Sequence, residues 1–336
     1  CGKAGAASAL ATVFRQLGEG SRPGSTTALT KAMGLDPRVQ QDAQEFGRFL
    51  FMALEGDCRA PKKEQAGGER GGLPGAINGL FAGRLVNYIE CVNVPHSKVA
   101  EEVFYDLSVD VKGSETLQES LHRFTEAELM TGENRWRAGD HGLQEARKGV
   151  RFVELPPVLQ FHLKRFEYDP YRDDLAKIND RFEFPTELDM SPWLKAPPSP
   201  PSAAGAGAAN DVDAAASGSA STQSRSQRYH LSAVVMHVGG PSAGHYYAYV
   251  RYVTKPPPSM SPPPSGSTEL GTEAGGTRLP QQDAAKQDAK WVKLDDQRVT
   301  EVSEAEVLRD AFGGSGGVYG GPAASGVAGF QGLLGM

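Results

Sequence analysis

Apolar residues recur at helical spacing near the start of the chain. Leu10, Val13, Phe14 and Leu17 share one face across residues 9–17, with Gly18 as a stop. Residues 23–34 are turn-rich and end in a short helix-like stretch. Ala43, Phe46, Leu50 and Leu54 form a longer stripe, which predicts a helix over 41–54. Asp42 and Glu45 lie one turn apart near its start, where acidic side chains suit the helix dipole; Asp36-Pro37 is a competing start signal. Residues 55–72 are rich in glycine and charge and read as a loop. From Leu80 the pattern turns to strands, expected at 85–89 and 104–111. Residues 116–130 return to helical spacing. Two β-like runs, 150–155 and 158–166, are split by Pro156-Pro157, which cannot donate to a ladder.

Further along, residues 196–227 and 255–290 are Ala/Gly/Ser/Pro-rich or polar and lack periodicity. Both read as disordered inserts, because they bury too little to offset chain entropy. Between and after them lie three strand candidates, at 229–238, 245–253 and 291–294. Their simplest arrangement is an antiparallel meander, in which the start of the second strand lies beside the end of the third. That places His245 next to Asp295. The long connection between them is no obstacle, since closure entropy grows slowly with length. An imidazole beside a carboxylate is the base-and-orienter half of a nucleophilic triad. Gly244, with no Cβ, would let a substrate backbone approach closely. A packed strand histidine with Asp295-Asp296 as a solvated turn is the alternative reading of the same pattern.

Composition narrows the class. The chain has 336 residues, 39% hydrophobic, with 40 Gly and 23 Pro clustered rather than spread, which fits a folded body interrupted by inserts. A formal net charge of -6 argues against a general nucleic-acid footprint. No run of about 18 apolar residues suggests a membrane span. The three cysteines, Cys1, Cys58 and Cys91, form no disulfide framework, so a reducing intracellular compartment, nuclear or cytoplasmic, is expected.

Five ordered motifs carry a family resemblance. Residues 41–46 (Gln-Asp-Ala-Gln-Glu-Phe), 80–83 (Leu-Phe-Ala-Gly), 155–166 (Leu-Pro-Pro through Leu-Lys-Arg-Phe), 244–250 (Gly-His-Tyr-Tyr-Ala-Tyr-Val) and 291–296 (Trp-Val-Lys-Leu-Asp-Asp) resemble the signature segments of the ubiquitin-specific proteases. Residues 138–149 and 177–185 are similar to the herpesvirus-associated branch of that family. The resemblance implies an α+β, papain-like cysteine protease fold with thumb, fingers and palm, in which an antiparallel sheet carries the His and Asp. It implies a thiol-dependent deubiquitinase that cleaves after the C-terminal glycine of ubiquitin, with ubiquitin and ubiquitinated proteins as partners and a monomeric state. His245 would be the general base, Asp295 its orienter and Asp296 a supporting group. Asp42 and Glu45 would face the arginine-bearing tail of ubiquitin, and charge-assisted hydrogen bonds suit that role. Phe166 and Tyr168 would line the tail channel, flanked by His237 and Tyr246. The implied layout is a partial thumb at 1–55, a loop at 56–72, fingers at 73–150, a palm at 151–312 and a Gly/Ala-rich tail at 313–336.

Three departures from the family pattern stand out. Its nucleophile box, roughly Asn-x-Gly-x-Thr-Cys-Tyr-x-Asn, is missing, and neither Cys1, Cys58 (in the expected loop) nor Cys91 (at a strand end) has that context. An N-terminally truncated, inactive fragment is the expectation; a non-catalytic ubiquitin-binding module or pseudoenzyme scaffold is the alternative. Of the positions where many members hold zinc, 91, 94, 138 and 141, only Cys91 and His141 could ligate, so no metal or other cofactor is expected. Finally, residues 313–336 lack an apolar strand, so the palm sheet is expected to end one strand short.

Overall fold

The computed structural model describes residues 5–20, 24–36, 38–39, 41–59, 75–171, 173–194, 227–240, 244–253, 289–314 and 327–332. In chain order the helices are α1 (Ala6–Gly18), α2 (Thr27–Ala32), α3 (Ala43–Arg59), α4 (Ala76–Phe81), α5 (Leu117–Thr125) and α6 (Glu304–Phe312). The strands are β1 (Gly83–Cys91), β2 (Ser97–Phe104), β3 (Leu107–Asp110), β4 (Glu128–Met130), β5 (Trp136–Arg137), β6 (Leu143–Gln144), β7 (Ala146–Glu154), β8 (Val158–Lys164), β9 (Phe166–Asp169), β10 (Asp174–Lys177), β11 (Glu187–Asp189), β12 (Arg228–Gly239), β13 (Gly244–Val253), β14 (Ala289–Asp295), β15 (Arg298–Val302) and β16 (Val327–Gly332).

The apolar stripes of the first helices meet one another. Ala6 and Ala9 of α1, Leu29 of α2 and Leu54 of α3 form a small buried cluster, with Leu10, Leu50 and Ile77 packed against it. Asp42 caps α3, its Oδ1 accepting from the backbone N–H of Gln44 (2.9 Å) and Glu45 (3.1 Å). At the other end of α3, Asp57 Oδ2 accepts from Ala7 N at 2.8 Å and so satisfies a donor at the start of α1. This packing carries α3 to Arg59, past the expected stop at 54 and through Gly56, so Cys58 lies on a helix rather than in a loop. Residues 60–74 of the expected loop lie outside the described residues.

A four-stranded antiparallel sheet of order β2-β1-β7-β4 forms the fingers. β7 pairs with β1 along most of its length, so this sheet runs past the expected fingers–palm boundary at 150. The expected strand over 104–111 is two strands. Phe104 ends β2, the chain turns at Tyr105-Asp106, and Leu107–Asp110 joins β8 in parallel. The expected helix over 116–130 stops at Thr125, and Glu128–Met130 pairs with β7 instead.

The palm is a sheet of order β15-β14-β13-β12-β16-β8-β3, antiparallel except for the β3–β8 pair. Phe152, Leu159, Phe161, Leu163, Val234, Met236, Tyr249, Trp291 and Val307 belong to the main core, which α6 helps to close. Arg165, fully buried, ties three segments together. Its Nη1 donates to the carbonyls of Ile178 (3.0 Å) and Asp180 (2.8 Å), and its Nη2 to that of Phe312 (3.2 Å). The expectation of a missing last strand is overturned: β16 lies between β12 and β8 and pairs with both. Ladder bonds come from the backbone, so a glycine-containing segment can fill a slot whose neighbours would otherwise carry unpaired edges. The second insert ends earlier than 290, because Ala289 and Lys290 already belong to β14. Residues 195–226 and 254–288 lie outside the described residues. Among the described residues, no helix is long and apolar enough to cross a membrane.

Candidate active site

The meander β12-β13-β14-β15 builds the site at one end of the palm sheet. β13 pairs with β14 with Ala248 opposite Leu294. Side chains alternate along each strand, so His245, Tyr247 and Tyr249 share a face with Trp291, Lys293 and Asp295. His245 Nε2 and Asp295 Oδ1 are 2.7 Å apart. The bond occupies one ring nitrogen and leaves Nδ1 to exchange a proton with a third group. The other carboxylate oxygen, Oδ2, lies 3.0 Å from Lys293 Nζ. The hydrogen bond from His245, followed by that from Lys293, holds the Asp295 carboxyl below the usual carboxylate range. Asp296 has a left-handed backbone (φ 51°) in the two-residue turn from β14 to β15, a conformation aspartate tolerates better than most residues. That turn keeps its carboxylate with the pair: a ring nitrogen of His245 and one carboxylate oxygen each of Asp295 and Asp296 lie within 4.8 Å of one another.

The opposite face of β13 holds an aromatic group. His237 is directly across from Tyr246 in the ladder, with ring centroids 4.7 Å apart, and Phe166 meets His237 edge-on at 5.5 Å. A Cβ on Gly244 would lie 2.0 Å from His237 Nε2 and 2.5 Å from the Val238 carbonyl. The space expected to admit a substrate backbone is therefore taken by His237, and the glycine serves close packing inside the hairpin. Lys177 on β10 donates to the His237 carbonyl at 2.7 Å, with its Nζ 3.4 Å from His237 Nδ1. Burial, then the nearby Arg165, lowers Lys177 to about 8. Burial, with Lys177 adding to it, pushes His237 below the ordinary histidine value.

The first turn of α3 reaches this face. The Tyr246 hydroxyl is raised by burial, then by the nearby Asp42 carboxylate. Glu45 is exposed on the same turn. Tyr168 stands apart from the aromatic group: it is exposed, and its hydroxyl donates to Asp173 across the β9–β10 hairpin. The sequence reading missed a clamp that sets α3 against the palm. Buried Asp106 accepts from Gln44 Nε2 (2.7 Å), Arg48 Nε (2.7 Å) and Arg48 Nη2 (3.2 Å). Gln44 and Arg48 stand four apart, as two donors on one helix face must. Asp106 carried no signal, because it sat inside an apparent strand.

Neither described thiol position suits a nucleophile for this pair. Cys91 is buried in the fingers sheet, and burial raises its thiol. Cys58 lies sixteen residues along α3 from Asp42, about 24 Å at 1.5 Å per residue. Cys1 lies outside the described residues.

Comparison with known proteins decides the family. The family model described as ubiquitin carboxyl-terminal hydrolase matches residues 3–318. The chain belongs to this family. Ubiquitin C-terminal hydrolase 12 of Arabidopsis thaliana is 35% identical over 309 residues, covering 91% of this chain and 22% of that protein. Ubiquitin carboxyl-terminal hydrolase 15 of Schizosaccharomyces pombe is also 35% identical, with the same coverage. The chain thus spans about a fifth (22%) of the length of these curated relatives. Among solved structures, the SAGA Ubp8/Sgf11/Sus1/Sgf73 DUB module bound to ubiquitin aldehyde matches with a TM-score of 0.62 at 21% identity, over 97% of this chain and 59% of that one. The same module bound to monoubiquitin gives 0.63 at 22%, over 98% and 59%. These likenesses show the fold, and the papain-like α+β architecture expected from the motifs is the observed one. As a hydrolase-family chain, it carries the histidine–aspartate pair on its palm and the acidic helix start on its thumb.

Proposed function

We propose that this chain is the body of a thiol-dependent deubiquitinase that hydrolyses the isopeptide bond after the C-terminal glycine of ubiquitin. The observation that carries the reading is the 2.7 Å contact between His245 Nε2 and Asp295 Oδ1 on adjacent strands, with Nδ1 left for a thiol. His245 Nδ1 takes the thiol proton, and the thiolate attacks the glycine carbonyl carbon. The imidazolium then returns the proton to the departing lysine amine, leaving a thioester that water hydrolyses with the same imidazole as base. Asp295 orients the ring and stabilises its charged form. The carboxylates of Asp42 and Glu45, at the start of α3, suit the arginines of an approaching ubiquitin tail. Phe166, His237 and Tyr246 form the channel floor, and Tyr168 stands at its outer rim. Two solved structures of similar fold are described as ubiquitin-bound, which fits this reading.

The nucleophile is proposed to be a cysteine on a segment additional to these 336 residues, in a protein of the herpesvirus-associated branch that acts as a monomer in the nucleus or cytoplasm. Phe14, Leu17, Phe49 and Met52 stand exposed on the thumb helices, an apolar surface that such a segment could cover. The test is the full-length gene product assayed on a fluorogenic ubiquitin conjugate. Turnover is expected, lost at least about 1,000-fold in His245→Ala, as for removal of a triad member. Ubiquitin binding without turnover in the full-length protein would establish the non-catalytic binding module instead. An upstream reading frame with no cysteine box would sink the hydrolase reading.

A further inference from the structure

The carboxylate of Asp295 has two oxygens, and the base uses one. Oδ1 meets His245, and Oδ2 meets Lys293 Nζ at 3.0 Å. Lys293 is two residues before Asp295 on β14, so it emerges on the same face. Its ammonium also sits 4.0 Å from the ring centroid of Tyr247, which is buried. Tyr247 in turn packs edge-on against Tyr249 at 5.6 Å, and the Tyr249 hydroxyl donates to Asp310 Oδ2 on α6 at 2.8 Å. A lysine head normally keeps most of its rotamers in water. This one is placed between a fixed aromatic face and the outer oxygen of the orienting acid, so the ladder from α6 through two tyrosines ends on the carboxylate.

We propose that Lys293 is a positioning residue for the His245–Asp295 pair: it fixes the rotation of the carboxylate and offsets part of its charge. The proposal rests on the reading of His245 as the general base. A carboxylate beside an imidazole favours the charged ring, and a cation behind the carboxylate opposes that bias. The acid can then hold the ring in place without making it so basic that it stays protonated at working pH. Among the described residues, the other charged and titratable groups beside the pair are Asp296 in the turn, Tyr247 on β13 and Arg298, paired with Asp295 in the ladder to β15; Asp310 of α6 is linked to it through Tyr249. None of these is altered by changing Lys293.

The sign follows directly. Without the ammonium, Asp295 acts on His245 at full charge, the imidazolium is favoured, and the titration midpoint of His245 rises. The experiment is an NMR titration of the His245 ring Cε1–H in the 336-residue chain, for wild type, Lys293→Met, Lys293→Gln and Lys293→Arg. Lys293→Met keeps an apolar stem over Tyr247, and Lys293→Gln keeps a donor without the charge. Both neutral variants are expected to shift the midpoint upward by about half a pH unit at low salt, and less at high salt, where exposed charges are screened. Lys293→Arg should leave it near wild type. Identical midpoints in wild type and both neutral variants, or a shift in Lys293→Arg as large as in Lys293→Met, would overturn the proposal. The titration needs no turnover, so it stands apart from the test of deubiquitinase activity. In an active full-length enzyme, Lys293→Met should lower kcat several-fold with KM unchanged, and Lys293→Arg should restore it.

Discussion

Lys177 and Gly244 hold the hairpin behind the base from two directions. Lys177 donates to the His237 carbonyl, and the His237 ring fills the space where Gly244 lacks a Cβ. Lys177 is half-buried, and burial followed by Arg165 brings it from 10.5 to about 8. Between those values the unfolded chain binds more protons than the folded one, so this group adds stability as pH rises through the window. The contribution is fully present above 10.5 and is lost as pH falls through about 8. Chemical unfolding of wild type and Lys177→Met across pH 7.5 to 11 isolates it: the buried tyrosines cancel in the difference, and His237, which Lys177 also shifts, titrates below this range. The difference is expected to be flat below about pH 8 and then to move in favour of wild type. A flat difference across the whole range would show that the ammonium is not desolvated. At this scale, strand alternation and the simplest topology were enough to read the His245–Asp295 contact. Lys177 was not legible, because it comes from a polar stretch sixty residues before His237 and meets it only through tertiary packing.

Helices and strands were read well where one periodicity ran unbroken, as in α1, β12 and β13, and poorly where a tertiary contact cut across it. The run over 104–111 had strand composition throughout, yet Asp106 breaks it by turning in to meet Gln44 and Arg48. The last strand was invisible for a different reason: β16 pairs through its backbone, and side-chain pattern carries no information about that. The Asp106 clamp also gives α3 a testable role as an element. Asp106 is buried, so removing Arg48 leaves its carboxylate with Gln44 as its one remaining side-chain partner among the described hydrogen bonds. A buried acceptor that loses its charged donor costs about 1–3 kcal/mol. Arg48→Ala and Asp106→Ala should each destabilise the protein. The double variant should cost less than the sum, with a coupling of about 1 kcal/mol or more in a thermodynamic cycle. Strict additivity would mean that the clamp is incidental to the seating of α3.

At the scale of the molecule, the described residues form two apolar cores of unequal size. Among the described residues, the main core contains twenty-five buried apolar residues and the thumb core four: Ala6, Ala9, Leu29 and Leu54. Two of those four are alanines, so burial of the two leucines supplies roughly 3–6 kcal/mol at 1.5–3 per side chain, with Leu10, Leu50 and Ile77 adding partial burial. That is little to set against the entropy of ordering three helices. Asp42 sits on the thumb beside Tyr246 of the palm, so the seating of the first turn of α3 next to His245 depends on this weaker unit and on the Asp106 clamp that fastens it. Hydrogen exchange followed by mass spectrometry should therefore show peptides from α1 and α2 exchanging through local openings far cheaper than global unfolding, while β12 and β13 exchange near the global limit. Arg48→Ala should accelerate exchange in α3 with little effect on β12. If ubiquitin docks as proposed, its addition should slow exchange at the start of α3 around Asp42, because the ligand would contact both units. Equal protection of α1 and β12 in the free protein would show that thumb and palm unfold as one cooperative body, and the seating of α3 would then have to be treated as fixed.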